Sequence, residues 1–229
     1  MVLDAPNSPV AESFRAIRSR IDFNLKTNDT PVIAITSPFA KEGKTYNAIN
    51  IASIYALNKR KTVLLDLDFR RSSMVQSFQL SPDKGLVQRL MGEAKTGDVT
   101  FKSKHPYLDV IPVGPMPQNP AELLSSDEFL TLIKELKEKY DIIIIDTSPI
   151  GMVADILQFS PLFDTTLIVA RNKVTKKIGL KWVLSEVSQY GFQNVGIVVN
   201  NIHPKDRKLG YGYGYGLYKI DQSRKKLFT

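Results

Sequence analysis

The chain has 229 residues, 43% of them hydrophobic and 24% charged, enough for one large α/β domain with a full core. It contains no cysteine, which excludes disulfides, thiolate metal sites and a cysteine nucleophile and fits a reducing compartment. The net charge is +8, and from residue 202 onward seven basic residues face two aspartates, a local +5; a solvated tail, an anionic membrane surface and nucleic acid are all compatible with that alone. No apolar run is long enough to span a bilayer, and "MVLDAPNSPVAESFR" has no apolar signal core.

In chain order, a helix is expected over about 9–23. After it, β-branched runs alternate with amphipathic segments. The strand candidates are "PVIAITS" (31–37), "TVLLDLD" (62–68), "LDVIPVG" (108–114), "DIIIIDTSP" (141–149), "TTLIVAR" (165–171) and "NVGIVVNN" (194–201). They are nearly continuous in apolar character, as strands buried on both faces are. Helical patterns cover 44–57, 121–140, 154–163 and 176–190. This alternation predicts an α/β fold of the P-loop NTPase type, a mostly parallel sheet with helices on both faces. One domain would run over 1–201. Residues 202–229, rich in Gly, Lys and Tyr, read as a flexible tail.

The first strand runs into "SPFAKEGKTYNAINIASIYA". Lys41, Glu42, Gly43, Lys44, Thr45 and Tyr46 stand where a strand turns into a helix, the context of a phosphate-binding loop. Lys44 would bridge the β- and γ-phosphates, and the Thr45 hydroxyl would hold Mg²⁺. The strict pattern wants glycine where Pro38 stands, and Lys41 takes a place often held by glycine. Two further strands add carboxylates. Asp66 and Asp68 close "VLLDLD" on one side of the chain. Asp146 ends the all-apolar "IIIID". A carboxylate at that edge of a parallel sheet is the usual Mg²⁺ partner of a phosphate loop. Any one aspartate alone reads as a cap or turn residue; three with Gly-Lys-Thr point to nucleotide and Mg²⁺.

These stretches together resemble the bacterial tyrosine kinases of polysaccharide synthesis and export. "EGKT" looks like that family's Walker A, "LLDLDFRR" like its extra Asp-x-Asp motif, and "IIIIDTSP" like its Walker B. "VGPMPQNPAELLSSDEF" (113–129) is similar to its Pro-Asn-Pro-x-Glu-Leu segment, and "ESFRAIRSRI" carries Glu12, Arg15 and Arg18 at its ExxRxxR spacing. Tyr46 and the Thr-Ser-Pro after Asp146 depart from its commoner residues. The resemblance implies ATP and ADP binding by the loop and Mg²⁺ held by Thr45, Asp68 and Asp146. It implies Asp66 as the group that orients or deprotonates an attacking phenol, and Lys44 and Asp68 as its catalytic companions. Asn200 matches the family's adenine-side position; an ordinary polar strand end is the plain alternative. Glu12, Arg15 and Arg18 would make a subunit contact in a homo-oligomeric ring, where pairing along one helix surface is the other reading. Arg70 and Arg71 could contact phosphate or another subunit.

The run "GYGYGYGLY" (210–218) holds Tyr211, Tyr213, Tyr215 and Tyr218, four of the nine tyrosines. Glycine spacers suit tyrosines that must reach an active site in turn, so the run reads as the phosphorylation substrate. The resemblance implies a place at the cytoplasmic face of the inner membrane. It implies as partners a transmembrane polysaccharide co-polymerase segment or activator, and a cognate tyrosine phosphatase. No nucleic acid is expected. Two other readings compete. One is a non-kinase ATPase switch of the partitioning and septum-placement type, although Phe39 stands where those proteins carry a signature lysine. The other is a nucleotide-binding pseudokinase scaffold.

Overall fold

Successive strand residues face opposite sides of a sheet, and in this chain both sides are apolar. Val32, Ala34, Val63, Leu65, Ile143 and Ile145 fall in one buried cluster. Their neighbours Ile33, Ile35, Leu64, Ile142 and Ile144 fall in another. Such strands must be covered twice, and a computed structural model shows how. The structure describes residues 1–25, 29–69, 73–116, 127–151 and 154–203.

Seven strands form one sheet: β1 (Val32–Thr36), β2 (Thr62–Leu67), β3 (Phe101–Lys102), β4 (Leu108–Ile111), β5 (Ile142–Thr147), β6 (Thr165–Arg171) and β7 (Val195–Asn200). Their order is β3-β4-β2-β5-β1-β6-β7. All pairings are parallel except β3 with β4. The expected α/β fold with a mostly parallel sheet is what forms. One face is covered by helices α1 (Pro9–Asn24), α2 (Lys44–Leu57) and α3 (Met74–Phe78). The other is covered by α4 (Leu86–Leu90), α5 (Asp127–Lys137), α6 (Lys177–Gln189) and the 3₁₀ segment Ala154–Leu162.

Local chemistry starts and stops these elements. Ser8 caps α1, its hydroxyl accepting from the Ala11 N–H at 3.2 Å, with Pro9 in the first turn. Helix α2 lies almost wholly buried. Its polar residues turn inward safely because each bonds the carbonyl four residues back: Asn47 to Gly43, Asn50 to Tyr46 and Ser53 to Ile49. Residues 154–163 depart from expectation: they form 3₁₀ rather than α-helix over Ala154–Leu162, with Pro161 inside, where it cannot supply an N–H to an α-helical ladder. The five-residue helices α3 and α4 and the two-residue β3 are too short to show a period. The first part of the helix expected over 121–140 lies outside the described residues.

Arg89 holds α4 to α5. Although 7% exposed, it donates to Glu128 at 2.7 Å, to Glu135 at 2.9 Å and to the Thr96 hydroxyl at 3.0 Å. The Thr96 hydroxyl and the Arg89 guanidinium, against an opposing push from burial, hold the Glu135 carboxyl below the ordinary glutamate range. Stability from a depressed carboxyl is present above its unfolded pKa and is lost as pH falls. Arg89→Met is therefore expected to cost about 2–3 kcal/mol at neutral pH, since both glutamates are partly solvated. The difference should shrink below roughly pH 4, and urea melts of both proteins at the two pH values measure it.

Candidate active site

The carboxyl ends of β1, β2 and β5 meet because these strands are neighbours. Asp66 and Asp146 are register partners across β2 and β5, and Ile35 pairs with Asp146 across β1 and β5. The loop after β1 then delivers Lys44 to the same point. Its ammonium lies 2.6 Å from Asp68 Oδ2 and 3.5 Å from Asp146 Oδ1, and it donates to the Thr45 hydroxyl at 3.3 Å. Asp68, just past the end of β2, also accepts from the Ser148 hydroxyl at 3.3 Å. Asp66 is buried, and its Oδ1 accepts from the backbone N–H of Asp68 at 3.0 Å. The two residues of the Asp-x-Asp motif thus differ in environment. Asp68 faces the lysine, and Asp66 braces the turn that presents it.

Charge in this cluster is balanced locally. Burial opposes the positive charge of Lys44, but Asp146, Asp68 and Asp66 outweigh it, and its pKa stands above the ordinary lysine value. Asp146 is fully buried. Burial pushes its carboxyl up to about 6, with Lys44 and the Thr45 hydroxyl pulling the other way. Its Oδ2 is buried without a hydrogen-bond partner. An orphaned carboxylate oxygen beside a threonine hydroxyl and a second carboxylate is an all-oxygen donor set. That set suits Mg²⁺, which takes one or two carboxylates together with phosphate oxygens.

The loop itself is tied down by residues distant in sequence. Lys41 has φ +65° and Gly43 φ +94°, left-handed values that explain why glycine is common at both places. Glu42 is 1% exposed. Its carboxylate accepts from the Phe39 N–H at 2.9 Å and from the Thr175 hydroxyl. The Glu42 carbonyl accepts from Asn200 Nδ2 at 2.9 Å, and the Lys41 carbonyl from Arg171 at 3.0 Å. Asn200 therefore buttresses the phosphate loop from the end of β7. The Phe39 ring sits against Gly179, where a Cβ would come within 2.6 Å of it. The inward role of Glu42 and the parts played by Thr175 and Arg171 have no local motif. An acidic residue inside a phosphate-binding loop was the one available hint.

Other expected site residues lie elsewhere. Tyr46 is half-exposed on α2, edge-on to Phe14 with ring centres 6.1 Å apart. On α1, Glu12 pairs with Arg15, Arg15 also donates to the Pro6 carbonyl at 2.6 Å, and Arg18 lies 3.8 Å from Asp22. Within one chain these arginines pair along their own helix and its N-terminal strap. Arg70, Arg71, residues 117–126 of the Pro-Asn-Pro-x-Glu-Leu stretch, and Tyr211, Tyr213, Tyr215 and Tyr218 lie outside the described residues.

A buried lysine from a strand-to-helix loop, facing aspartates at the ends of two adjacent parallel strands, defines the nucleotide-binding α/β class. Comparisons with known proteins carry this further. A family described as an AAA domain matches residues 30–193. The tyrosine-protein kinase CpsD of Streptococcus agalactiae is 34% identical over 215 residues, covering 93% of this chain and 92% of CpsD. The tyrosine-protein kinase ptk of Acinetobacter johnsonii is 34% identical over 191 residues, 83% of this chain but 26% of that longer protein. Among solved structures, the chimerical protein CapA2B2 superposes with a TM-score of 0.83 at 32% identity, covering 88% of each chain. The chain belongs to the bacterial tyrosine kinase family.

Proposed function

We propose that this protein is an ATP- and Mg²⁺-dependent tyrosine autokinase that modifies the tail tyrosines of a neighbouring copy in the service of polysaccharide synthesis or export. The observation that carries the reading is the cluster around Lys44. A cation at 2.6 Å from Asp68 and 3.5 Å from Asp146 stands where phosphate oxygens would compete for it. Phosphoryl transfer asks a protein mainly for positioning and charge neutralisation, and this cluster offers both. Bound Mg²⁺, with Thr45, Asp68 and Asp146 as ligands directly or through water, would neutralise charge on the phosphates. In the reaction a tyrosine oxygen forms a bond to the terminal phosphorus of ATP as the bridging P–O bond breaks. ADP leaves with that electron pair, and the phenolic proton passes to a carboxylate or to water. A phenol has a pKa of about 10, so it needs such an acceptor; Asp66, buried beside Asp68, is the candidate.

Tyr211, Tyr213, Tyr215 and Tyr218 are the proposed acceptors. Unmodified, residues 202–229 carry +5, and each phosphotyrosine adds about −1.5 to −2, so three roughly cancel that charge and four reverse it. A basic tail is attracted to a carboxylate-lined site on a neighbour, and a phosphorylated one is repelled. Glu12, Arg15 and Arg18 would exchange their present partners for subunit contacts in the ring. At the membrane, a transmembrane co-polymerase segment or activator would supply the anchor, on the cytoplasmic side, and a phosphatase would reset the tail. Among the described residues no helix is long and apolar enough to cross a membrane.

Incubation with labelled ATP and Mg²⁺ should place label on tail tyrosines, mapped by mass spectrometry. Replacing all four by phenylalanine should remove most of it. Light scattering should then give a smaller mass for the phosphorylated protein than for the phenylalanine form. Folded protein that hydrolyses ATP without labelling tyrosine would overturn the reading in favour of an ATPase switch.

A further inference from the structure

One cavity adjoins the phosphate loop and shares only Thr45 and Tyr46 with it. It measures about 260 Å³ and is lined by Met1, Thr45, Tyr46, Ile49, Ser73 and Ser77. It opens between the first turns of α2 and α3. Thr45 belongs to both places: its hydroxyl accepts from Lys44, and the residue also forms a wall of the cavity. We propose that this cavity receives the side chain of the acceptor tyrosine, with Tyr46, Ser73 and Ser77 as residues that position it.

Three observations favour a phenol. The first is size: small-molecule sites run to about 300–1,000 Å³, and this cavity falls below that range, at the scale of one aromatic side chain. The second is the lining. Ile49 and Met1 are apolar, Tyr46 is aromatic, and Thr45, Ser73 and Ser77 bear hydroxyls. That pairing of apolar and polar surface matches a ring with a hydroxyl at its tip. Ser77 already donates to the Ser73 carbonyl at 3.0 Å, so its oxygen keeps lone pairs with which to accept from a phenol. The third is charge. None of the six lining residues carries a charged side chain, and the α-ammonium of Met1 is already paired with Asp4 at 2.8 Å. A neutral phenol is accommodated there, whereas a phosphotyrosine brings two negative charges and a tetrahedral group to a small lining of hydroxyls and apolar surface. The cavity thus favours substrate over product. The glycines at 210, 212, 214 and 216 would let each tyrosine enter without a bulky neighbour meeting the rim.

This inference rests on the kinase reading, and its test separates the two. The enzyme is the full chain with Tyr211, Tyr213, Tyr215 and Tyr218 replaced by phenylalanine, and the acceptor is a synthetic peptide of residues 210–218. Ser77→Phe, which fills the cavity, should raise the KM for peptide at least about tenfold while the KM for ATP moves less than about twofold. Ser77→Ala, which leaves the cavity open but removes one acceptor for the phenol, should raise the peptide KM far less than Ser77→Phe does. Tyr46→Ala, at a position 47% exposed, should also raise the peptide KM, and it carries the test if Ser77→Phe does not fold. Peptide binding without ATP, read by fluorescence polarisation, should weaken in the same variants, and the phosphorylated peptide should bind at least about tenfold more weakly than the plain one. If peptide binds and Ser77→Phe abolishes that binding but nothing is phosphorylated, the cavity stands and the kinase reading falls. An unchanged peptide KM and affinity in Ser77→Phe and Tyr46→Ala, or an ATP KM that rises in step, overturns the cavity assignment.

Discussion

Lys44→Met is expected to lower tyrosine phosphorylation by at least about 10³-fold, the scale on which a charge-stabilising group is lost from a phosphoryl-transfer site. Methionine keeps much of the side chain's length and apolar stem but removes its charge. The same change exposes a second role. Lys44 is 7% exposed, and Asp68 and Asp146 beside it are 4% and 0% exposed, so its removal leaves two carboxylates buried without their cation. Breaking a buried pair in this way typically costs about 3–5 kcal/mol, partly relieved if one carboxyl takes up a proton. Phosphotyrosine yield, calorimetric binding of Mg²⁺-ATP and a thermal melt on one preparation separate the two effects. Folded Lys44→Met protein that still labels tyrosine at the wild-type rate would remove Lys44 from the chemistry.

Gly43→Ala should weaken Mg²⁺-ATP binding by roughly 10- to 100-fold. The backbone at Gly43 has φ +94°, and a Cβ there would lie 2.0 Å from Asn200 Nδ2. Left-handed strain costs about 1–2 kcal/mol. The clash also drives Asn200 from the Glu42 carbonyl, with the loss of a bond worth about 1 kcal/mol. If that clash is the cause, the double variant Gly43→Ala/Asn200→Ala loses less than the two single losses combined, a coupling that a double-mutant cycle by calorimetry reads directly. Wild-type affinity in Gly43→Ala would show that the loop tolerates another path.

Much of this site was legible along the chain, because its parts are local. Gly43, Lys44 and Thr45 are adjacent, and a strand end marks each aspartate. What was not legible depends on contacts across long separations. Glu42 accepts from Thr175, 133 positions away, and its carbonyl accepts from Asn200, 158 positions away. Asp66 and Asp68 look equivalent in "DLD", but the turn after β2 spends one on the backbone N–H of the other. On α1, the spacing of Glu12, Arg15 and Arg18 is compatible with helix-surface pairing and with subunit contact alike. Within one chain the pairing is met locally.

By itself the sequence determined the class of fold and the phosphate loop. Strand and helix periods record which side of an element is buried, and a loop motif of six residues carries its own geometry. Only the tertiary structure decided the order β3-β4-β2-β5-β1-β6-β7. That order sets Asp66 against Asp146, brings Lys44 between Asp68 and Asp146, and leaves a small cavity between α2 and α3. Periodicity says that a side chain is buried. It does not say against what, and the chemistry of this site lies in that second fact.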